Sequence, residues 1–566
     1  MSADQSPRRI WLPLALSLAL AGALRAAPGP RFYADDPLAR EPESRDASAA
    51  KPADVGLLYD LSYNLFVTSA RPASNVHARN VNTIDEVPDS GWFTNRMLPE
   101  RAPLEELVRG PNVGRPPNPE RWTITREKSA GFAPGFTAKD ANGETWFVSF
   151  DPPGNPEGAT AAMVIATKIF WALGYNQVET FITTVNPARI VIDPAATMKR
   201  PNRRRTPMTR KDLDPILERA ARNTDGTYRA AAGRLLPGKV LGPFRYEGTR
   251  SDDPNDTVEH EHRRELRALR VFGAWTNLTD LKAGNTLDTL VSVNGRSLVR
   301  HYLQDVGSTF GMGANGPHDW DEGFEYFYEG DDTLRRLGSL GFNLSPWQTA
   351  KYTVYPSVGR FESETFDPLT WKPHTPTTAY MEMLPDDAFW AARRVAAFDD
   401  ALIDELAHAG GFSDGTAERH FASILKQRRD KIAHAYLPAV NPIVDPRLSA
   451  AGQLTFVNAA VGAGVSPEAQ GYRAVWAQFD NATGDTRSLG ETVAPGRTLA
   501  APPELATTVG TIVRADVSAV GGAPAAWIEP IHVYFRRTTD GWKLIGLDRG
   551  IGGEKPQTAP GDRPHK

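Results

Sequence analysis

Cysteine is absent from all 566 residues. That excludes disulfides, thiolate zinc sites, thiol nucleophiles and a lipid-modified cysteine in one step, and it leaves an oxidising compartment permitted without demonstrating one. An excess of positive charge is missing as well. Lys and Arg number 64 against 68 Asp and Glu, a formal charge of −4, so no overall basic field favours nucleic acid. No P-loop and no Gly-x-Ser-x-Gly elbow occurs in the sequence. "HEHRRELR" holds His260 and His262 but not the second histidine of a zincin. "GMGANG" fits the Gly-x-Gly-x-x-Gly spelling, yet it does not join a strand to a helix, so a dinucleotide site is not expected there.

What is present begins with an export signal. Arg8 and Arg9 precede about fourteen mostly apolar residues and an Ala-x-Ala ending at Ala23, the pattern of a cleaved secretory signal over residues 1–23. The apolar stretch is too short to span a bilayer comfortably. The expected location is therefore the periplasm or the medium, with no stable membrane span after cleavage. Residues 24–55, rich in Pro, Ala, Asp and Arg, read as a linker. Residues 56–120 open on the helical "VGLLYDLSYNLF" and continue through turn formers around Trp92 and Phe93, an extension whose aromatic residues anchor it on the next domain.

From 121 to 193 the text is strand-like. "RWTITREK", "GFTAKD" and "TWFVSF" read as three strands, followed by a buried helix in "NPEGATAAMVIATKIFWALGYN" and two further strands in "VETFITTVNPARIVID". Residues 194–440 read as a helical lobe. It opens with seven basic residues between Lys199 and Lys211, a solvated loop by default. "EHRRELRALRVFGAWTN" is a helix leading directly into "LTDLKAGN", then "TLDTLVSV-NG-RSLVRHYLQDVG" is a hairpin with an Asn-Gly turn ending at Asp305. The run "HDWDEGFEYFYEGDD" carries seven acids between Asp319 and Asp332 and reads as a solvated loop.

Helix, loop, hairpin and Asp-x-Gly together resemble the catalytic core of a protein kinase. Asp280, Lys282 and Asn285 stand where that family places its catalytic-loop Asp, Lys and Asn, and Asp305-Val306-Gly307 where it places its metal-binding motif. The long hairpin and the lack of His-Arg before Asp280 make the stretch similar to atypical bacterial kinases of the HipA and CotH type. "DDPND", "RRELR" and "RHYLQDVGSTFG" also resemble a family of exported bacterial proteins across most of residues 55–440.

The resemblance implies Asp280 as base, Lys282 at the transferred phosphoryl group, and Asn285 with Asp305 holding Mg²⁺ for ATP. It implies that Gly131 and Gly135 of "GFAPGF" approach the phosphates. It departs from the pattern at Ser149, which occupies the usual third-strand lysine position: an active enzyme would need Lys128 or Lys139 to substitute, and loss of the lysine is equally what a catalytically silent scaffold would show. Lys128, next to the glycine loop, is preferred. Glu157 is the expected partner of that lysine.

Beyond two long amphipathic segments, "PAVNPIVDP" reads as a linker, and residues 448–552 as short strands of a β-sandwich-like domain, with a disordered tail over 553–566. The fold expected is α+β: a bilobal protein-kinase-like core followed by an all-β domain. The implied activity is phosphoryl transfer from a nucleotide to a hydroxyl on a protein or small molecule, with a catalytically silent kinase-like scaffold or binding protein of the cell envelope as the alternative. Nucleic acid is not a partner on this reading.

Overall fold

The computed structural model describes residues 29–128, 133–200, 204–328 and 345–550. The expected signal peptide, Gly131 and the expected tail lie outside the described residues. Among the described residues no helix is long and apolar enough to cross a membrane.

A seven-stranded sheet is built from β1 (Trp122–Glu127), β2 (Gly135–Lys139), β3 (Thr145–Phe150), β4 (Thr180–Val185), β5 (Ile190–Lys199), β6 (Arg205–Pro207) and β7 (Tyr228–Arg234), in the order β4-β7-β3-β2-β1-β5-β6. The sheet thus runs past residue 193, where a helical lobe was expected to begin. The missed central strand is β7. Its Ala230, Ala231 and Ala232 lack the β-branched side chains that mark a strand, but they are fully buried between β3 and β4, where small residues admit a close neighbour.

The main helices are α1 (Leu57–Phe66), α2 (Gly158–Leu173), α3 (Leu269–Thr276), α4 (Pro385–Ala396), α5 (Asp400–His408) and α6 (Gly415–Tyr436). α2 is apolar nearly all round and accordingly buried nearly all round. It stops at Gly174, whose φ of 122° suits glycine and where a Cβ would lie 2.1 Å from Phe93. Phe93 and Trp92 are buried. Trp92 stacks on His301 with ring centroids 3.5 Å apart, which fastens the N-terminal extension to the β9–β10 hairpin region.

A second sheet joins β8 (Lys239–Gly242) to the hairpin of β9 (Thr286–Val293) and β10 (Arg296–Leu303), turned at Asn294 and Gly295 with φ of 50° and 79°. Two-residue strands β11 (Met312–Gly313) and β12 (Gly316–Pro317) account for "GMGANG", which forms a small hairpin.

The C-terminal strands are β13 (Ile443–Leu448), β14 (Gln453–Asn458), β15 (Gly471–Phe479), β16 (Thr486–Ala494), β17 (Thr498–Ala500), β18 (Ile512–Val520), β19 (Ile531–Arg537) and β20 (Trp542–Asp548). They form antiparallel sheets of three and five strands. "PAVNPIVDP" is not a linker. Asn441 is buried and donates to the carbonyls of Val517, Trp527 and Glu529, and β13 starts two residues later. One apolar core runs from α4 and α6 through Leu437 and Val440 to Trp476 and Trp527. Residues 29–55 are not a loose linker either. Phe32 packs on Phe479 and Tyr534, while Ala47 and Ala50 sit against Leu241 and Val299, so apolar anchors outweigh the polar composition.

"RRELR" forms an ionic hub in the interior. Arg264 donates to Asp387 at 2.9 Å, to Asp386 at 2.7 Å and to Asp85 at 2.6 Å, and Arg267 donates to Asp387 at 3.1 Å. Burial works against the Arg264 charge, but the three carboxylates more than offset it and hold the guanidinium well above its ordinary range. Arg549, beyond β20, reaches Asp85 at 3.2 Å and so ties the C-terminal domain into the hub.

Candidate active site

α3 ends at Asn277, which takes the left-handed conformation with φ of 54°, and its side-chain oxygen accepts from Trp371 at 2.8 Å. The chain then leaves the helix with Leu278, Leu281 and Ala283 buried together with Thr279, while Asp280 and Lys282 between them stay half-exposed. Lys282 Nζ donates to Asp280 Oδ2 at 2.7 Å. Asn285 Nδ2 donates to the Asp280 carbonyl at 2.8 Å, which leaves its amide oxygen as the acceptor of that side chain. After the hairpin the Asp305 amide donates to the Asn285 carbonyl at 3.1 Å. The two ends of the hairpin are thereby pinned together. Asp280, Lys282, Asn285 and Asp305 share one small region although 25 residues of sequence separate its ends.

Asp305 is exposed, and one of its oxygens accepts the Gly307 amide at 3.0 Å. A Cβ at Gly307 would lie 3.4 Å from Met163, so this turn rests against α2. The sheet supplies the missing cation. Lys128, just past β1, donates from Nζ to Ser149 Oγ on β3 at 3.2 Å. Burial lowers its pKa, and the charge of Asp305 acts in the opposite sense. The ammonium therefore stands beside Ser149 on the third strand, near enough to Asp305 for that charge to act on it.

The other predicted residues lie as follows. Gly135 is the first residue of β2 and pairs with Ser149; a Cβ there would come 2.2 Å from the Val148 carbonyl oxygen, so the strand contact itself requires glycine. Lys139, at the far end of β2, is exposed. Glu157 caps α2 with φ of 68°, and its carboxylate accepts the Ser413 amide at 2.9 Å. It is thus engaged by the helical half rather than by Lys128, and Asp305 is the acid that Lys128 senses.

Sequence reasoning missed a second group beside Asp280. Glu322 lies 3.1 Å from both His318 Nδ1 and His374 Nε2 and accepts from Thr279 Oγ1 at 2.8 Å. Burial raises the Glu322 pKa, yet the two histidines outweigh it and bring the carboxyl down to about 2. Ser308 Oγ lies 3.0 Å from His318 Nε2. Only the four-residue spacing of His318 and Glu322 hinted at the pair; His374 arrives from a distant loop. His260, by contrast, is a core histidine, held by Asp256 at 2.8 Å.

Among the described residues no three His, Asp or Glu side chains are placed to hold a metal by themselves. Asn285 and Asp305 offer hard oxygen donors at a half-open site, and such a pair suits Mg²⁺, which retains waters and takes further oxygens from substrate phosphates.

No family model and no curated protein matches the chain. Several solved structures do. The crystal structure of the Golgi casein kinase with Mn and ADP bound is similar at 10% identity over 58% of this chain and 75% of that one, with a TM-score of 0.30. The Helicobacter pylori proinflammatory kinase CtkA is similar at 12% identity over 56% of this chain and 95% of its own, also with a TM-score of 0.30. Likeness at that level carries no weight on activity, which has to be argued from the side chains above.

Proposed function

We propose that the chain is an exported, atypical kinase-like phosphotransferase that moves the terminal phosphoryl group of a nucleotide to a hydroxyl acceptor. The observation that supports this reading is the Lys128 ammonium bonded to Ser149, because a cation there would serve the phosphate-gripping position. Ser149 had been the main sequence argument for a silent scaffold. A Lys128 ammonium 3.2 Å from Ser149 Oγ weighs against that argument.

Each residue has a task in this reading. Lys128 neutralises the nucleotide phosphates, and Asn285 and Asp305 hold the divalent ion. Bound there, Mg²⁺ would draw negative charge from the phosphate oxygens during transfer. Asp280 accepts the acceptor hydroxyl's proton as the new oxygen–phosphorus bond forms and the bond to the nucleotide's bridging oxygen breaks. Lys282, held 2.7 Å from Asp280, balances charge at the transferred group. Phosphoryl release from γ-labelled ATP by the purified protein with MgCl₂ tests the assignment. Wild type is expected to consume the label and Asp280→Ala to lose that turnover while keeping its fold. Equal turnover in both would refute Asp280 as the base.

A further inference from the structure

The extension helix α1 forms a wall of a cavity that no step above uses. The cavity measures about 150 Å³ and is lined by Tyr59, Asp60, Tyr63, Arg245, Tyr246 and Glu247, among others. Its volume lies below the about 300–1,000 Å³ of drug-sized sites, so it suits one small ring-shaped molecule. α1 is clamped onto the catalytic loop: Asp60 accepts the Ala283 amide, and Leu57 lies 3.5 Å from where a Gly284 Cβ would be. Tyr246 is buried and feels the charges of both Asp60 and Asp280. Through Asp60 and the Ala283 amide, the cavity wall meets the loop that carries the proposed base.

Its polar groups are only partly satisfied within the protein: Arg245 donates to the Val55 carbonyl, Glu247 pairs with Arg71 at 3.2 Å, and Asp60 accepts from Asn64 at 3.3 Å. Arg245 Nε is buried without a hydrogen-bond partner among the described residues, beside the buried Tyr246. Two carboxylates, Asp60 and Glu247, face the same space as the Arg245 guanidinium. An anion would meet the carboxylates and a cation would meet Arg245, which already lies 5.4 Å from the Tyr59 ring centroid. A neutral molecule with several hydroxyls meets neither conflict: its O–H groups donate to Asp60 and Glu247, and its oxygens accept from Arg245 and Tyr246. Tyr59 and Tyr63, stacked at 6.0 Å with planes 26° apart, supply an aromatic wall for the C–H face of a saturated ring.

We infer that this cavity binds a neutral polyhydroxylated ring, a monosaccharide or a terminal sugar of a glycan, and presents it to Asp280 as the acceptor. The acceptor role rests on the phosphotransferase reading; the binding does not.

Saturation-transfer NMR of the purified protein with glucose, galactose, mannose, N-acetylglucosamine and myo-inositol tests it, with choline and acetate as charged controls. At least one neutral ring should bind. Tyr59→Ala, at a side chain 61% exposed and so tolerant of truncation, should weaken it about tenfold, as should Asp60→Asn. Absence of binding by every neutral ring, binding of choline or acetate alone, or binding unchanged in both variants would overturn the site. ATP–Mg²⁺ binding is measured in the same samples. A sugar bound without nucleotide keeps the cavity and removes the phosphotransferase reading, whereas nucleotide bound without any sugar removes the cavity and keeps that reading.

Discussion

Two groups of charged residues lie on either side of α3, and they are handled in opposite ways. Arg264 and Arg267 are buried completely and every formal charge meets another at 2.6–3.1 Å. Around Asp280 and Asp305 the groups are half-exposed or exposed, and Asp305 spends one oxygen on a backbone amide with no arginine or lysine bonded to it in the described residues. A buried charge must be paired to exist at all, whereas at the half-open site Asp280 pairs, among the described residues, only with Lys282 and Asp305 keeps oxygen lone pairs free of any cation, as a phosphate and metal site requires. Both groups appear in the sequence as short charged motifs. The pairing distinguishes a scaffold from a site.

The largest effect is expected in the hub. Asp387→Ala strips the partner from two buried guanidinium groups and should cost about 3–5 kcal/mol in denaturant unfolding. Asp305→Ala, at an exposed side chain, should stay within about 0.5 kcal/mol of wild type in the same assay. Comparable losses in the two variants would erase the distinction between the groups.

Next in size is an acid-dependent term at Glu322. Its folded pKa of about 2 lies below the 4.5 of the free side chain, so its contribution is full above pH 4.5 and disappears as pH falls toward 2. The span corresponds to roughly 3 kcal/mol. Glu322→Gln should flatten the stability curve in that window, and an unchanged slope would remove the histidine contacts as its cause.

Within the cleft, Lys128→Met should weaken ATP–Mg²⁺ binding about tenfold or more, some 1.4 kcal/mol. The exchange of Lys128→Ser with Ser149→Lys should recover most of that loss in calorimetric titration, because either strand then delivers the cation to one place. Failure of the exchange would confine the role of Lys128 to packing. Smallest of all is Ser149→Ala, which removes one hydrogen bond and should shift folding stability by no more than about 1 kcal/mol.

The local elements of the cleft were legible because their chemistry is local. The Asn-Gly turn and the hairpin follow from spacing along a few residues. Lys128 could be proposed from its position beside the glycine loop, yet its bond to Ser149 depends on strand order that the sequence does not state. β7 stayed hidden because alanines carry no period. The 29–55 segment read as a linker since three buried apolar residues, Phe32, Ala47 and Ala50, cannot be seen against a polar composition. His374 and Tyr246 join the site from distant loops, and no spacing rule connects them to Asp280.

The central claim is that Asp280, Asn285, Asp305 and Lys128 make one nucleotide site. Thermal unfolding with and without ATP–Mg²⁺ tests it most directly, since a ligand that binds only the folded state adds about 2.7 kcal/mol at a hundredfold excess over Kd. Wild type and Asp280→Ala should both be stabilised, because the base acts on the acceptor, while Asp305→Ala should lose the shift. If neither ATP nor GTP moves the wild-type transition with Mg²⁺ or Mn²⁺ present, or if Asp305→Ala is stabilised as fully as wild type, the claim is contradicted.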